Sequence, residues 1–257
     1  MRKINIELAL KDIITFIRSQ HQNSGIKNAV VGLSGGIDSS LTAALCVKAL
    51  GKENVYGIML PYRASHPDSL NHAVEVADFL QIHHEVVEIS PMVDAYFSNY
   101  DTDATKLRMG NFMARTRMCV LYDNSAKYGA LVAGTGNKSE LLIGYCTQYG
   151  DSACAYEPIG ELYKTEVWEM ARFLGLPKSV IEKAPTADLW SEQTDESEMG
   201  ITYKKLDNIL YRVFDLKMTE NEIIANGFSS ADISKVMNMY KKSEFKRIMP
   251  PTGKINA

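Results

Sequence analysis

Cysteine is scarce in this sequence: four residues, Cys46, Cys119, Cys146 and Cys154, with no C-x-x-C pair among them. That spacing argues against a zinc ribbon, a dithiol redox site or a disulfide framework, and for reduced thiols. No apolar run approaches the ~20 residues that a membrane helix needs. Neither sign of charge dominates. The 28 Lys and Arg stand against 31 Asp and Glu, for a net charge of −3, so no basic field marks a nucleic-acid partner. Met1-Arg2-Lys3 leads into an amphipathic segment rather than a secretory signal, and the cytoplasm is the expected compartment. Internal repeats and low-complexity tracts are missing too. So are two common nucleotide fingerprints: there is no Gly-Lys-Ser/Thr of a Walker A loop and no G-x-G-x-x-G.

What is there is an ordinary core-forming composition, 46% apolar and 23% charged over 257 residues. It suits one sizeable core, expected as a single domain over 1–257. Residues 27–33 are apolar enough for a strand. Gly32-Leu33-Ser34-Gly35-Gly36-Ile37-Asp38-Ser39-Ser40 follow, and then a helical pattern to Leu50, stopped by Gly51. A strand, a glycine turn and a helix in that order make a phosphate cradle. Glycines bring backbone amides close to an anion, and the new helix adds its unpaired N–H groups and positive dipole end. Ser34, Ser39 and Ser40 add hydroxyls. The Asp38 carboxylate makes sense beside phosphates mainly with a Mg²⁺ between them.

Further elements alternate. Strands are expected over 54–60, 84–89 and 130–133, and helices over 4–19, 67–80 and 111–128. This predicts an α/β fold, a doubly wound parallel sheet with helices on both faces. Beyond Pro158 the strand signal fades, and helices over 164–174, 203–214, 219–225 and 230–242 predict a helical C-terminal part. Two polar stretches, 99–105 and 185–200, read as loops, the second long enough for a lid. The strand at 130–133 runs into a second glycine turn, Gly134-Thr135-Gly136-Asn137-Lys138-Ser139-Glu140. Such sheets bind ligands at strand carboxyl ends, so the two turns are placed to grip one nucleotide. Glu140 is then a second oxygen ligand for the metal, or else an ordinary capping glutamate.

The series S-G-G-x-D-S, G-T-x-N-K-S-E, Y-G-D, P-I-G-x-L-Y-K-T-E, P-T-A-D-L, Q-T-D-E, E-x-K-R resembles NAD synthetase, one of the N-type ATP pyrophosphatases, from about Ile4 to Arg247. The resemblance implies a Rossmann-like ATP pyrophosphatase fold and a two-step amidation. The nicotinate carboxylate of deamido-NAD attacks the α-phosphate of ATP, giving an acyl adenylate and pyrophosphate; ammonia then gives NAD⁺ and AMP. It assigns Gly32 to Ser39, Thr135, Lys164 and Thr186 to ATP, and Asp38 and Glu140 to Mg²⁺. Arg115, Lys246 and Arg247 go to deamido-NAD, and Asp151 to the incoming ammonia. Lys164 and Thr186 would stabilise the transferring α-phosphate. Where some members carry a lysine, an acidic residue and a histidine, this chain has Gln148, Ala155 and Phe245, so its nicotinate contacts differ from theirs.

Plainer readings exist for several of these residues. Lys164 would suit a solvated helix start, Asp151 a turn and Lys246-Arg247 a solvated charge run. The helix at residue 4 leaves no room for an N-terminal glutaminase domain, and Arg2 supplies no N-terminal nucleophile, so free ammonia is the expected donor. Family members are homodimers, with the helix over 111–128 a candidate interface element. The rival readings are another ATP pyrophosphatase, or an ATP-binding module without catalysis. A paired Mg²⁺ site argues against the second.

Overall fold

The computed structural model describes residues 2–186, 194–253 and 255. Its elements run α1 (Ile6–Ser24), β1 (Asn28–Gly32), α2 (Ile37–Leu50), β2 (Val55–Met59), α3 (Pro67–Leu80), β3 (His83–Val86), α4 (Ser90–Tyr100), α5 (Lys106–Tyr128) and β4 (Ala130–Ala133). Then come α6 (Lys138–Ile143), α7 (Lys164–Phe173), α8 (Lys178–Ile181), α9 (Asp195–Met199), α10 (Tyr203–Leu210), α11 (Glu220–Ala225) and α12 (Ser230–Lys242).

The four strands form one parallel sheet in the order β3-β2-β1-β4. Alternation along β1 explains the layering. Ala29 and Val31 face a core built with α1, α2, α3 and α7, while Val30 faces a second core built with α4 and α5. β2 repeats the division, with Val55 and Met59 on the first side and Ile58 on the second. A sheet buried on both faces needs near-continuous apolar strands, and Ala29-Val30-Val31 supplies the central one. From β1 the chain winds outward through β2 and β3, then returns to β4 on the other side of β1. The switch point therefore falls between the carboxyl ends of β1 and β4, where such folds open a crevice. A third apolar cluster, with Tyr203, Leu206, Ile209 and Leu210 fully buried, joins α6, α10 and α12 into the helical C-terminal layer. Among the described residues no helix is long and apolar enough to cross a membrane.

The structure departs from the sequence expectations mainly at boundaries. β3 ends at Val86, although Val87 and Ile89 still donate to the carbonyls of Met59 and Pro61 at 2.8 and 2.9 Å. The stretch at 90–100 is helical, with Pro91 in its first turn and Val93 and Phe97 one turn apart in the core. The loop expected over 99–105 shrinks accordingly, because α5 starts at Lys106, where the Thr105 side chain caps it. α1 continues to Ser24, where Gly25 in the left-handed region closes it. The helix expected over 203–214 is regular to Leu210 and becomes a π-helical turn over Tyr211–Asp215. Of the expected lid, 187–193 lies outside the described residues, and α9 occupies much of the rest.

Candidate active site

The turn after β1 is tight because the chain around it leaves no space. Gly35 has φ +71°, and a Cβ there would lie 2.1 Å from the Ser69 carbonyl oxygen at the start of α3. Hydroxyls close the loop on itself: Ser39 Oγ donates to the Gly36 carbonyl at 3.1 Å, and Ser40 Oγ to the same oxygen at 2.7 Å. Ser34 Oγ accepts from the Gly36 amide at 3.2 Å. No side chain caps the N-terminus of α2. Its first-turn amides and dipole therefore point at the crevice without a competing acceptor from a cap.

The turn after β4 is built differently. Asn137 and Glu140 form a capping box on α6, so the capping role considered for Glu140 is real. Glu140 Oε1 nevertheless also accepts from Lys164 Nζ at 3.3 Å and from the Tyr203 hydroxyl at 3.3 Å. Lys164, the first residue of α7, bonds through the same Nζ to Asp38 Oδ2. Asn137 Nδ2 donates to Asp38 Oδ1 at 2.9 Å, tying the two glycine turns together across the switch point. The Lys164 side chain is only 2% exposed, which rules out a solvated helix start. Asp38 and Glu140, at 19% and 16%, are enclosed rather than open surface carboxylates.

These enclosures set the electrostatics. Burial raises the Glu140 carboxyl to about 8, with Lys164 opposing the rise and Asp38 adding to it. Burial disfavours the charge on Lys164, but Asp38 and Glu140 outweigh that and hold the ammonium above its ordinary value. Asp195 joins the cluster, accepting from the hydroxyls of Tyr203 at 3.1 Å and Tyr145 at 3.2 Å, and burial raises its carboxyl too. Among the described residues, no group of three or more His, Cys, Asp and Glu is arranged to hold a metal ion. Asp38 and Glu140 share Lys164 Nζ and both line the same cavity, and two carboxylates are as many as Mg²⁺ usually takes from a protein, since it keeps several waters and takes further oxygens from phosphates.

An open cavity of about 830 Å³ lies over the carboxyl ends of β1, β2 and β4. Of the residues predicted from sequence, Gly32, Leu33, Ser34, Gly36, Ile37, Asp38, Ser39, Thr135, Glu140, Asp151, Lys164, Thr186 and Lys246 line it. Gly35 shapes the turn from behind. Asp151 opens onto the cavity, yet its surroundings raise its carboxyl, and the Thr147 amide donates to it at 2.8 Å. Lys246 Nζ is anchored by the carbonyls of Gly144 and Cys146, at 2.8 and 2.6 Å. Two predicted residues are placed elsewhere. Arg115 is exposed on α5 and donates to the Gln148 carbonyl at 3.2 Å. Arg247 fastens the C-terminal segment, donating to Leu142 O and Ser243 Oγ at 2.7 Å and stacking on Tyr240. Sequence reasoning passed over Arg117 and Lys183, both of which line the cavity. Arg117 is two positions from Arg115 on α5, where a polar helix face accounts for either residue, and Lys183 stands in no motif.

Sheet order, crevice and paired glycine turns define the class: a Rossmann-like fold of the ATP pyrophosphatase type, with its opening at the switch point. Sequence comparison makes this specific. The NAD synthase family profile matches residues 9–250. A protein of Fusobacterium nucleatum named NH(3)-dependent NAD(+) synthetase is 50% identical, covering 98% of this chain and 97% of that one. A Trichlorobacter lovleyi protein of the same name is 49% identical over 98% of this chain and 92% of its own. Among solved structures, the NH3-dependent NAD synthetase of Campylobacter jejuni superposes with a TM-score of 0.83 at 35% identity, covering 98% and 100% of the two chains. The NMN synthetase of Francisella tularensis does so with 0.88 at 30% identity and the same coverage. The chain belongs to the NAD synthase family.

The contact at Gly35 carries a testable consequence. Gly35→Ala forces a Cβ against backbone, in a conformation that side chains disfavour, so destabilisation above about 1 kcal/mol is expected together with weakened ATP binding. Denaturant melts and calorimetric ATP titration check this; wild-type values in both would contradict the described turn.

Proposed function

We infer that this chain is an ammonia-dependent NAD synthetase, which amidates the nicotinate carboxylate of deamido-NAD at the expense of ATP. The observation that carries the reading is the buried Lys164 ammonium held between Asp38 and Glu140 at the mouth of two glycine turns. The loop amides from Gly32 to Ser39, the open N-terminus of α2 and Thr135 hold the triphosphate. Lys164 and Thr186 stabilise the charge on the α-phosphate as the carboxylate oxygen bonds to phosphorus and pyrophosphate departs. Asp38 and Glu140 would hold Mg²⁺, which when bound neutralises phosphate charge. Both carboxylates line the cavity that would hold the phosphates, and because burial raises the Glu140 carboxyl to about 8, Mg²⁺ would have to displace its proton.

In the second step the ammonia nitrogen bonds to the acyl carbon, the bond from that carbon to the adenylate oxygen breaks, and AMP leaves. Asp151 orients ammonium and takes up its proton. Lys246 contacts deamido-NAD from the cavity wall. Arg115 and Arg247 belong to the same substrate site only through a second copy or a rearranged C-terminal segment. A homodimer is consistent with the exposure of Arg115, Cys119 and Tyr122 along one side of α5. Free ammonia as donor and a cytoplasmic location complete the reading.

The direct assay combines ATP, Mg²⁺, deamido-NAD and ammonium. Equal formation of NAD⁺ and AMP is expected; AMP without NAD⁺, or neither product, would overturn the reading. Replacing deamido-NAD by the nicotinate mononucleotide in a parallel assay tests the NMN synthetase alternative. Asp38→Ala and Glu140→Ala are expected to lose about 100-fold or more of turnover and, since each removes a partner of the buried Lys164, to melt earlier while keeping a folded circular-dichroism spectrum at room temperature. Near-wild-type activity in either would remove that residue from the metal assignment.

A further inference from the structure

Glu140 and Lys164 stand at the starts of different helices, and nothing in α6 or α7 alone fixes their relative position. Beside the bond of the Lys138 amide to the Leu162 carbonyl at 2.8 Å, one buried carboxylate reaches both helices. Asp207, in α10, is 1% exposed and turns both oxygens on this junction. Its Oδ1 accepts from the Ser139 hydroxyl at 2.5 Å, and its Oδ2 accepts from the Thr165 amide at 2.9 Å. Ser139 Oγ accepts in turn from the Lys164 amide at 2.9 Å. Ser139 precedes Glu140 in the chain and Thr165 follows Lys164. Each bond therefore acts one residue away from a group at the reacting phosphates.

The first two amides of α7 are donors with no partner inside their own helix. Here one goes to Ser139 and the other to Asp207, so this relay, on the side facing α6 and α10, helps set the rotation of α7 about its axis and with it the aim of Lys164. Asp207 is itself rigidly held, since its neighbours Leu206, Ile209 and Leu210 are fully buried in the C-terminal layer. We propose that Asp207 is a positioning residue for the adenylation step, acting through Ser139 and Thr165 to hold Glu140 and Lys164 at one spacing against Asp38. It touches neither nucleotide. The proposal rests on the reading of Lys164 and Glu140 given above, and it gives the helical C-terminal layer a part in the chemistry of the sheet.

The test measures two quantities on the full chain: deamido-NAD-dependent exchange of pyrophosphate into ATP, and calorimetric affinity for ATP in Mg²⁺. Asp207→Ala is expected to slow exchange about 100-fold and to weaken Mg²⁺-ATP binding about tenfold. The ammonium KM, which reports the second step, should stay unchanged. Asp207→Asn keeps an oxygen for the Thr165 amide and a polar group for Ser139, and should recover most of the exchange rate. Ser139→Ala cuts the same relay, so the double variant should be no slower than the slower single one.

A merely structural role predicts otherwise. Asp207→Ala would then melt earlier but exchange at the wild-type rate per ATP-binding site, and that result would overturn the proposal. So would multiplicative effects in the double variant. If Asp207→Ala does not fold, Asp207→Asn and Ser139→Ala decide the matter by the same rates. If the wild-type protein shows no exchange with deamido-NAD, the functional reading fails, and the Mg²⁺-ATP affinities of the variants still decide on Asp207.

Discussion

The ion contact of Lys164 with Asp38 and Glu140 is the constraint on which the rest of the structure depends. An ammonium this deeply enclosed is costly unless it is paired, and removing a partner from a buried pair typically costs about 3–5 kcal/mol. Three separate elements must therefore meet: the turn after β1 that carries Asp38, the turn after β4 that carries Glu140, and the start of α7. Strand order brings the first two together at the switch point. Asn137, bonded both to its own helix and to Asp38, locks them. The same pairing keeps Lys164 charged, which is the state useful to a phosphate.

Support for the third element comes from two sides. Arg2 bonds Glu166 in a bidentate pair and also reaches the Glu161 carbonyl at 2.8 Å, holding the first turn of α7 from outside. Asp207 holds it from within. The C-terminal helices thus do more than enlarge the core, since they brace the face of the site that the sheet cannot reach.

Much of this was legible in the sequence, for definite reasons. Gly32 to Ser40 is diagnostic because a connector needs neither the aspartate nor the serines. Ala29-Val30-Val31 reads as a buried strand because both its faces pack. The α4 helix has little sequence signal because Ser90-Pro91 follows directly on the strand-like run His84 to Ile89, and only tertiary burial of Val93 and Phe97 reveals its period. The bracing role of Asp207 was invisible, since it depends on bonds across 42 to 68 positions of sequence. Arg247, which a motif match assigns to substrate, has its donors engaged by the carbonyls of Leu142 and Tyr240 in this fold, contacts that no sequence pattern announces.

The central claim is that the site activates a carboxylate by its attack on the α-phosphate of ATP. Deamido-NAD labelled with ¹⁸O in the nicotinate carboxylate, turned over with ATP, Mg²⁺ and ammonium, tests it most directly. Mass spectrometry of the products is predicted to find one labelled oxygen in AMP and none in pyrophosphate. Label in inorganic phosphate or pyrophosphate, or unlabelled AMP, would contradict the account.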